Sequence, residues 1–273
     1  MDHPTPTDEP RELIREGSQL RYWLDGDPQA PLVALTHGVS LDHRAFAAQA
    51  PALASAGYRV LTWDVRGHGA SQPMGSRMTI SGVADDLVAV LDAVGADGAV
   101  MAGQSFGGMV IQDLLARHPE RVAALAVVGA PWLGDRPAAL MRVFQRLRIP
   151  LAKAWPDAHL RKTFATMIAR DPDVRRYVLE ANVQMSKPDF VAVSKAAVEG
   201  YLREGDVPTH GVPLLLIHGE REESLVRRSM AAWAARDPVA RHEVVAGAGH
   251  LVNQERPEAF NEVLLGFLAE RGI

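Results

Sequence analysis

From Leu32 onward short unbroken apolar runs alternate with amphipathic stretches, and that rhythm leaves few architectures open. Unbroken runs suit strands buried on both faces, and the amphipathic stretches suit crossover helices that cover those faces. The strands are predicted at Leu32–Thr36, Arg59–Trp63, Ala99–Ala102, Ala124–Val128, Leu214–Ile217 and His242–Val245. Helices are predicted over Phe46–Ala56, Ile80–Val94, Gly107–Arg117, Leu225–Ala235 and Pro257–Arg271. Ahead of them Leu13–Glu16 and Leu20–Leu24 flank Gly17-Ser18 and read as an antiparallel hairpin at one sheet edge. The fold class is therefore α/β, with a mostly parallel sheet and helices on both faces.

The rhythm breaks once. From Pro131 to Val212 about eighty residues carry no strand pattern, far more than the 2–6 residues of an ordinary connection. Asp135 with Pro137, Asp171 with Pro172 and Ser186 with Pro188 each look like a helix cap followed by an early-turn proline, so three or four helices are expected. No apolar run there could make a separate core. Residues 12–131 and 213–273 are read as one α/β core, 132–212 as a helical lid laid on it, and 1–11, with Pro4, Pro6 and Pro10, as a disordered tail.

Composition limits the partners. Among 273 residues, 47% are apolar and 23% charged, ordinary globular usage. Lys plus Arg total 29 against 33 Asp plus Glu, so no basic field gathers phosphates and nucleic acid is not an expected partner. Without cysteine there is no disulfide, no Cys-based metal site and no thiol nucleophile, which fits a cytoplasmic setting. The start lacks the basic and apolar regions of a secretory signal. The charge-free run Val122–Gly134 is well short of the roughly 20 residues that span a bilayer, so no membrane partner is expected.

The strongest local signal is Gly103-Gln104-Ser105-Phe106-Gly107-Gly108, directly after a predicted strand and opening a helix. A serine held in so sharp a turn needs small neighbours, because the backbone brings flanking residues too close for side chains. Gly247-Ala248-Gly249-His250 follows the last strand, where open α/β sheets place ligands, and its histidine has the chain order a nucleophilic serine requires. Thr36-His37-Gly38-Val39 follows the first parallel strand. In a serine hydrolase, amides of such a loop and of the residue after the nucleophile can converge on an oxyanion; here they are Val39 and Phe106. His37 suits a loop-orienting hydrogen bond better than proton transfer, and is also kept as a candidate substrate contact.

With these motifs, Asp64-Val65-Arg66-Gly67-His68-Gly69-Ala70-Ser71, and Glu255, Pro257 and Phe260 after His250, the chain resembles the α/β-hydrolase superfamily from about Leu13 to Phe267. The spacing is most similar to bacterial carboxylesterases, enol-lactonases and cofactor-free peroxidases with a helical lid. The resemblance implies the α/β-hydrolase fold, Ser105 as nucleophile, His250 as base, Val39 and Phe106 as oxyanion donors, and a structural turn at Asp64–Ser71 with His68 outside the chemistry. It also implies a small-molecule substrate. Where the family usually has aspartate, three residues after the strand-end glycine, this chain reads Gly219-Glu220-Arg221-Glu222-Glu223. Glu222 stands at the acid position, with Glu223 and Asp135 as alternatives; a carboxylate before the Leu225 helix also suits its N-terminus.

An acyl-enzyme route on a small apolar or aromatic ester or lactone is the expected activity. Carbon–carbon bond hydrolysis, perhydrolysis on the same residues, and a ligand receptor that kept the fold are the alternatives. Dehalogenases and epoxide hydrolases of the superfamily use an aspartate nucleophile, which Ser105 argues against. No metal motif and no dinucleotide glycine pattern is present, so no cofactor is expected. Trp132, after a central strand, is the expected pocket residue, and Leu140, Phe144 and Leu147 recur at helical spacing as a stripe facing the core.

Overall fold

The computed structural model describes residues 9–135, 139–203 and 211–273. Its sheet has eight strands: β1 (Arg11–Arg15), β2 (Ser18–Asp25), β3 (Leu32–Thr36), β4 (Arg59–Trp63), β5 (Ala99–Gln104), β6 (Val122–Val128), β7 (Leu214–Gly219) and β8 (Ala240–Val245). They lie in the order β1-β2-β4-β3-β5-β6-β7-β8. The β1–β2 and β2–β4 pairs are antiparallel and the other five parallel, so the hairpin forms one edge as expected. Because β1 opens at Arg11, the segment read as a tail enters the sheet at its last residue; its first eight residues lie outside the described ones.

Between the strands run α1 (Gln49–Ser55), α2 (Ile80–Ala93), α3 (Phe106–Arg117) and α8 (Ser224–Ala234), and after β8 come the short α9 (Val252–Glu255) and α10 (Pro257–Glu270). Thr79 starts α2 by accepting the Gly82 amide at 3.0 Å. The first helix begins later than its pattern suggests, because Asp42 caps a 3-10 turn over His43–Phe46 ahead of it.

Successive strand residues point to opposite faces, and the two cores follow that alternation. Leu32, Ala34, Met101, Leu214 and Leu216 pack with α2, α3 and α8. Val33, Leu35, Val100, Leu215 and Ile217 pack on the other side with α1 and α10. Every one of these residues is buried, the arrangement that makes parallel strands read as continuous apolar runs.

Four helices stand between β6 and β7: α4 (Ala139–Ala154), α5 (Asp157–Ile168), α6 (Pro172–Val183) and α7 (Lys187–Tyr201). Asp171 caps α6 through the Asp173 amide at 2.8 Å, and Ser186 caps α7 through the Asp189 amide at 3.2 Å, each with proline in the first turn. Pro137, in the third predicted cap, lies outside the described residues. The insertion joins both cores: Phe190, Val193 and Tyr201 enter one, and Ala165, Ile168 and Val178 the other.

The expected apolar stripe on α4 does not face the core at Leu147, which is 54% exposed along with Val143 and Leu151. Helical spacing finds a stripe but not the side it faces. The side chains of Leu140 and Phe144 lie outside the described ones.

Candidate active site

The strand order reverses around β3, whose neighbours are β4 on one side and β5 on the other, and the crevice at such a reversal is where open sheets hold ligands. Ser105 stands there, between β5 and α3, with φ 52° and ψ −113°, a left-handed backbone that L residues rarely adopt. Its glycines are steric necessities. A Cβ on Gly103 would stand 2.4 Å from the Gly107 carbonyl oxygen, and one on Gly107 would stand 2.1 Å from that of Thr36. The Ser105 amide donates to Val128 O at 2.8 Å and the Met109 amide to Ser105 O at 3.1 Å, locking the bend to β6 and to the helix.

His250 lies past β8 and Glu222 past β7. The imidazole Nδ1–H faces both carboxylate oxygens, at 3.0 and 2.9 Å, and the carboxylate side chain is only 1% exposed. The Glu223 amide donates to Glu222 Oε1 at 2.7 Å, so Glu223 contributes its backbone while its neighbour supplies the charge. Asp135, the other alternative, sits in a turn after β6 where its amide donates to Trp132 O. Burial pulls the His250 imidazole toward its neutral form, but the charge and hydrogen bond of Glu222, then Glu223 and Glu255, carry its pKa above the ordinary value. Burial pushes Glu222 up, and the larger combined pull of His250 and the Glu223 amide holds it below its ordinary value.

Gln104 links the two halves. Its Nε2 donates to His250 O at 3.3 Å, and its Oε1 lies 2.3 Å from where a Cβ on Gly38 would project. The Ser105 Cβ is 3.3 Å from that same point, so the loop after β3 lies against the serine. Among the described residues neither the Val39 nor the Phe106 amide has a hydrogen-bond acceptor, which leaves both N–H groups available.

His37 does not reach outward. Its Nδ1–H donates to Gly38 O at 2.8 Å, its Nε2 accepts the Val65 amide at 3.0 Å, and the residue is fully buried. Both nitrogens being used, His37 orients the loop and cannot also contact a substrate. Burial, the largest influence, keeps its pKa below the ordinary value. His68 lies 5.0 Å away, ring to ring, with a pKa pushed down to about 3 by burial and by His37. Its segment is a turn held by Asp64, which accepts the His43 and Ala70 amides.

Trp132 departs from its expected place. Its ring stacks on Trp233 at 5.9 Å, the Arg236 guanidinium lies over it, and it is 6% exposed, so this side chain anchors the start of the insertion to α8. An apolar residue after a strand announces burial but not its partner.

Sequence reasoning gave no role to Gln104, Gly129 or Glu255. Gln104 occupies a variable place beside the serine and has no pattern of its own, and Gly129 looks like any strand-end glycine. Glu255 stood within a recognised motif and carried no assignment. Among the described residues no group of three His, Cys, Asp or Glu is placed to hold a metal ion, and no helix is long and apolar enough to cross a membrane.

Residues 31–257 match the family described as alpha/beta hydrolase fold. Epoxide hydrolase A of Mycobacterium tuberculosis is 41% identical over 316 aligned positions, covering 94% of this chain and 96% of that protein. A hydrolase from Pseudomonas aeruginosa superposes with a TM-score of 0.82 at 27% identity, covering 96% of this chain and 99% of the other. The enol-lactonase from Burkholderia xenovorans shares the fold, with a TM-score of 0.81 at 24% identity over 95% of this chain and all (100%) of its own. The strand order, the serine bend and these likenesses agree: the chain is a hydrolase and belongs to the α/β-hydrolase fold family.

Proposed function

We propose that the chain is a serine hydrolase of small carboxylic esters or lactones, working through an acyl-enzyme, with Ser105 as nucleophile, His250 as base and Glu222 as the acid that orients it. The observation that carries this reading is the Glu222–His250 pair, 2.9 Å apart past the ends of neighbouring strands, with the His250 carbonyl held by Gln104, the residue next to the strained serine.

In this mechanism Ser105 Oγ attacks the acyl carbon as His250 Nε2 takes its proton. Glu222 holds Nδ1–H and stabilises the imidazolium. The Val39 and Phe106 amides receive the oxyanion, each such donor being worth about 3 kcal/mol in comparable sites. His250 then protonates the leaving alkoxide, and water activated by the same ring releases the acid and restores the serine. Residues 12–131 and 213–273 act as the catalytic core, and 132–212 as a lid that selects the acyl group.

The relative named as an epoxide hydrolase raises the rival substrate. Opening an epoxide with a carboxylate nucleophile leaves an ester, which water can cleave. Opening it with Ser105 Oγ would leave an ether with no acyl carbon for water to attack. The serine thus favours acyl substrates.

The test is turnover of p-nitrophenyl esters, a set of lactones and styrene oxide by wild type and Ser105→Ala. The expected result is hydrolysis of an ester or lactone that falls by several decades in the variant. Equal ester rates for the two proteins, or turnover of the epoxide alone, would remove the reading, and ligand binding without turnover would favour a receptor.

A further inference from the structure

The residue that ends α9, Glu255, is buried and turns its carboxylate back on the loop that carries His250. Oε2 accepts the Gly249 amide at 2.6 Å, one residue before the imidazole. Oε1 accepts the Arg170 amide at 2.6 Å and the Asp171 amide at 3.4 Å, both in the turn between α5 and α6. One carboxylate therefore joins the peptide preceding His250 to the helical insertion, 85 residues away in sequence. The Arg170 stem packs into the same place, 3.4 Å from where a Cβ on Gly249 would stand.

The same part of the insertion holds the opposite loop. Tyr177 of α6 is buried with its hydroxyl 3.2 Å from Asp42 Oδ1, and Asp42 directly follows the loop that offers the Val39 amide. The α5–α6 turn and α6 are thus seated at two points, one beside the imidazole and one beside the oxyanion donors.

We propose that Glu255 is a positioning residue: by holding the Gly249 and Arg170 amides on one carboxylate, it sets the His250 ring in place only when the α5–α6 turn is seated on the core. This rests on the reading of His250 as the base. The chemistry needs a carboxylate of this length. Glutamine has one acceptor oxygen and would turn an NH2 group toward the other amide, so it can satisfy one side and must repel the other. Aspartate keeps both acceptors but is a methylene too short to reach across. The charges facing His250 here are Glu222 and Glu223 from the β7–α8 loop and Glu255 itself; Arg170 from the insertion and Arg256 from the start of α10 lie beside the same loop.

The experiment compares wild type, Glu255→Gln and Asp171→Ala in the full chain. Amide hydrogen exchange is followed over residues 246–251 and 168–174, together with p-nitrophenyl ester kinetics. The His250 imidazole is titrated by NMR in a Ser105→Ala background. In Glu255→Gln, exchange should rise in both segments together, kcat should fall roughly tenfold to a hundredfold with KM little changed, and the imidazole should titrate at lower pH. Loss of the Glu255 charge lowers that titration by itself, so the positioning role is read from the fall in kcat at unchanged KM together with the paired rise in exchange. Asp171→Ala leaves Glu255 intact and removes the α6 cap, so exchange over 246–251 should rise although the substitution lies in the insertion; it also decides the matter if Glu255→Gln fails to fold. Exchange rising in only one segment, or an unchanged titration and kcat, would overturn the proposal. If wild type turns over no ester, the functional reading falls, while the paired exchange still judges Glu255.

Discussion

A Cβ on Gly129 would stand 2.8 Å from Oε2 of Glu222, so the end of β6 leaves open the space that the carboxylate fills. Glutamate carries one methylene more than the aspartate usual at this position. The glycine accommodates that reach while the carboxylate still meets His250 at 2.9 Å. Gly129 also has φ +55°, where an L residue costs about 1–2 kcal/mol. Gly129→Ala should therefore displace Glu222 and lower kcat/KM on an ester about a hundredfold while circular dichroism still reports a folded chain. An unchanged rate would mean that the carboxylate is not held by this contact.

The same geometry ranks the acids. Glu222→Gln keeps the shape but loses the charge that stabilises the imidazolium, and Glu222→Asp keeps the charge but withdraws it from Nδ1. Both should lose about a hundredfold or more in kcat. Glu223→Gln should stay within a few-fold, because Glu223 serves the site through its backbone amide at 2.7 Å. Steady-state kinetics of the four variants, Asp135→Asn included, decide; a larger loss in Glu223→Gln or Asp135→Asn than in Glu222→Gln would move the acid.

Much of the architecture was legible because parallel strands buried on both faces write themselves as apolar runs. Leu32–Thr36 and Arg59–Trp63 coincide with β3 and β4 at both ends. The other parallel strands are two residues longer: β5 runs on into Gly103 and Gln104 and β7 into His218 and Gly219, where small or polar side chains in a buried ladder leave no apolar signal, and β6 and β8 begin earlier, at Val122 and Ala240. At the site, the bend at Ser105 could be read from its glycines, since sterics dictate them. Which contacts Trp132 and His37 make could not, because an apolar ring and an imidazole fit several partners and only the tertiary packing selects one. Glu255 was hidden for a further reason: its partners are backbone amides, which every sequence supplies equally.

The electrostatics of the pair set a pH dependence. In the proposed mechanism His250 must be neutral to accept the serine proton, and Glu222 with its neighbours raises the ring above its ordinary 6.5 against the downward pull of burial. The rise of kcat/KM with pH should therefore be centred above 6.5 in wild type, and in Glu222→Gln it should move to lower pH as the largest raising influence is lost. Stability follows the same pair. The depressed Glu222 contributes above its ordinary 4.5 and loses that contribution as pH falls through its folded value. The raised His250 contributes fully below 6.5 and loses its contribution as pH rises through its folded value. The Tm difference between wild type and Glu222→Gln should thus be largest between about 4.5 and 6.5 and shrink on either side, and a difference that stays the same well below and well above that range would contradict the pairing.

The seating of α6 can be tested apart from the chemistry. The Tyr177 hydroxyl lies 3.3 Å from Asp42 O and 3.2 Å from Oδ1, and also accepts the Asp42 amide at 3.3 Å. Both residues are buried, so Tyr177→Phe leaves the Asp42 amide without its partner in a place water does not reach, at a cost of about 1–3 kcal/mol. At about 2–4 °C per kcal/mol for a chain of this size, Tm should fall by several degrees in a thermal melt. Asp42 stays paired with Arg44 at 2.7 Å, which limits the loss and keeps the 3-10 turn in place. The loop proposed to hold the oxyanion should then keep its shape while α6 sits less firmly against it, so KM for a long-chain ester should rise more than KM for an acetate. A variant as stable as wild type, with both KM values unchanged, would show that the phenol ring packing, including its stack with the Arg44 guanidinium, holds the helix without the hydroxyl.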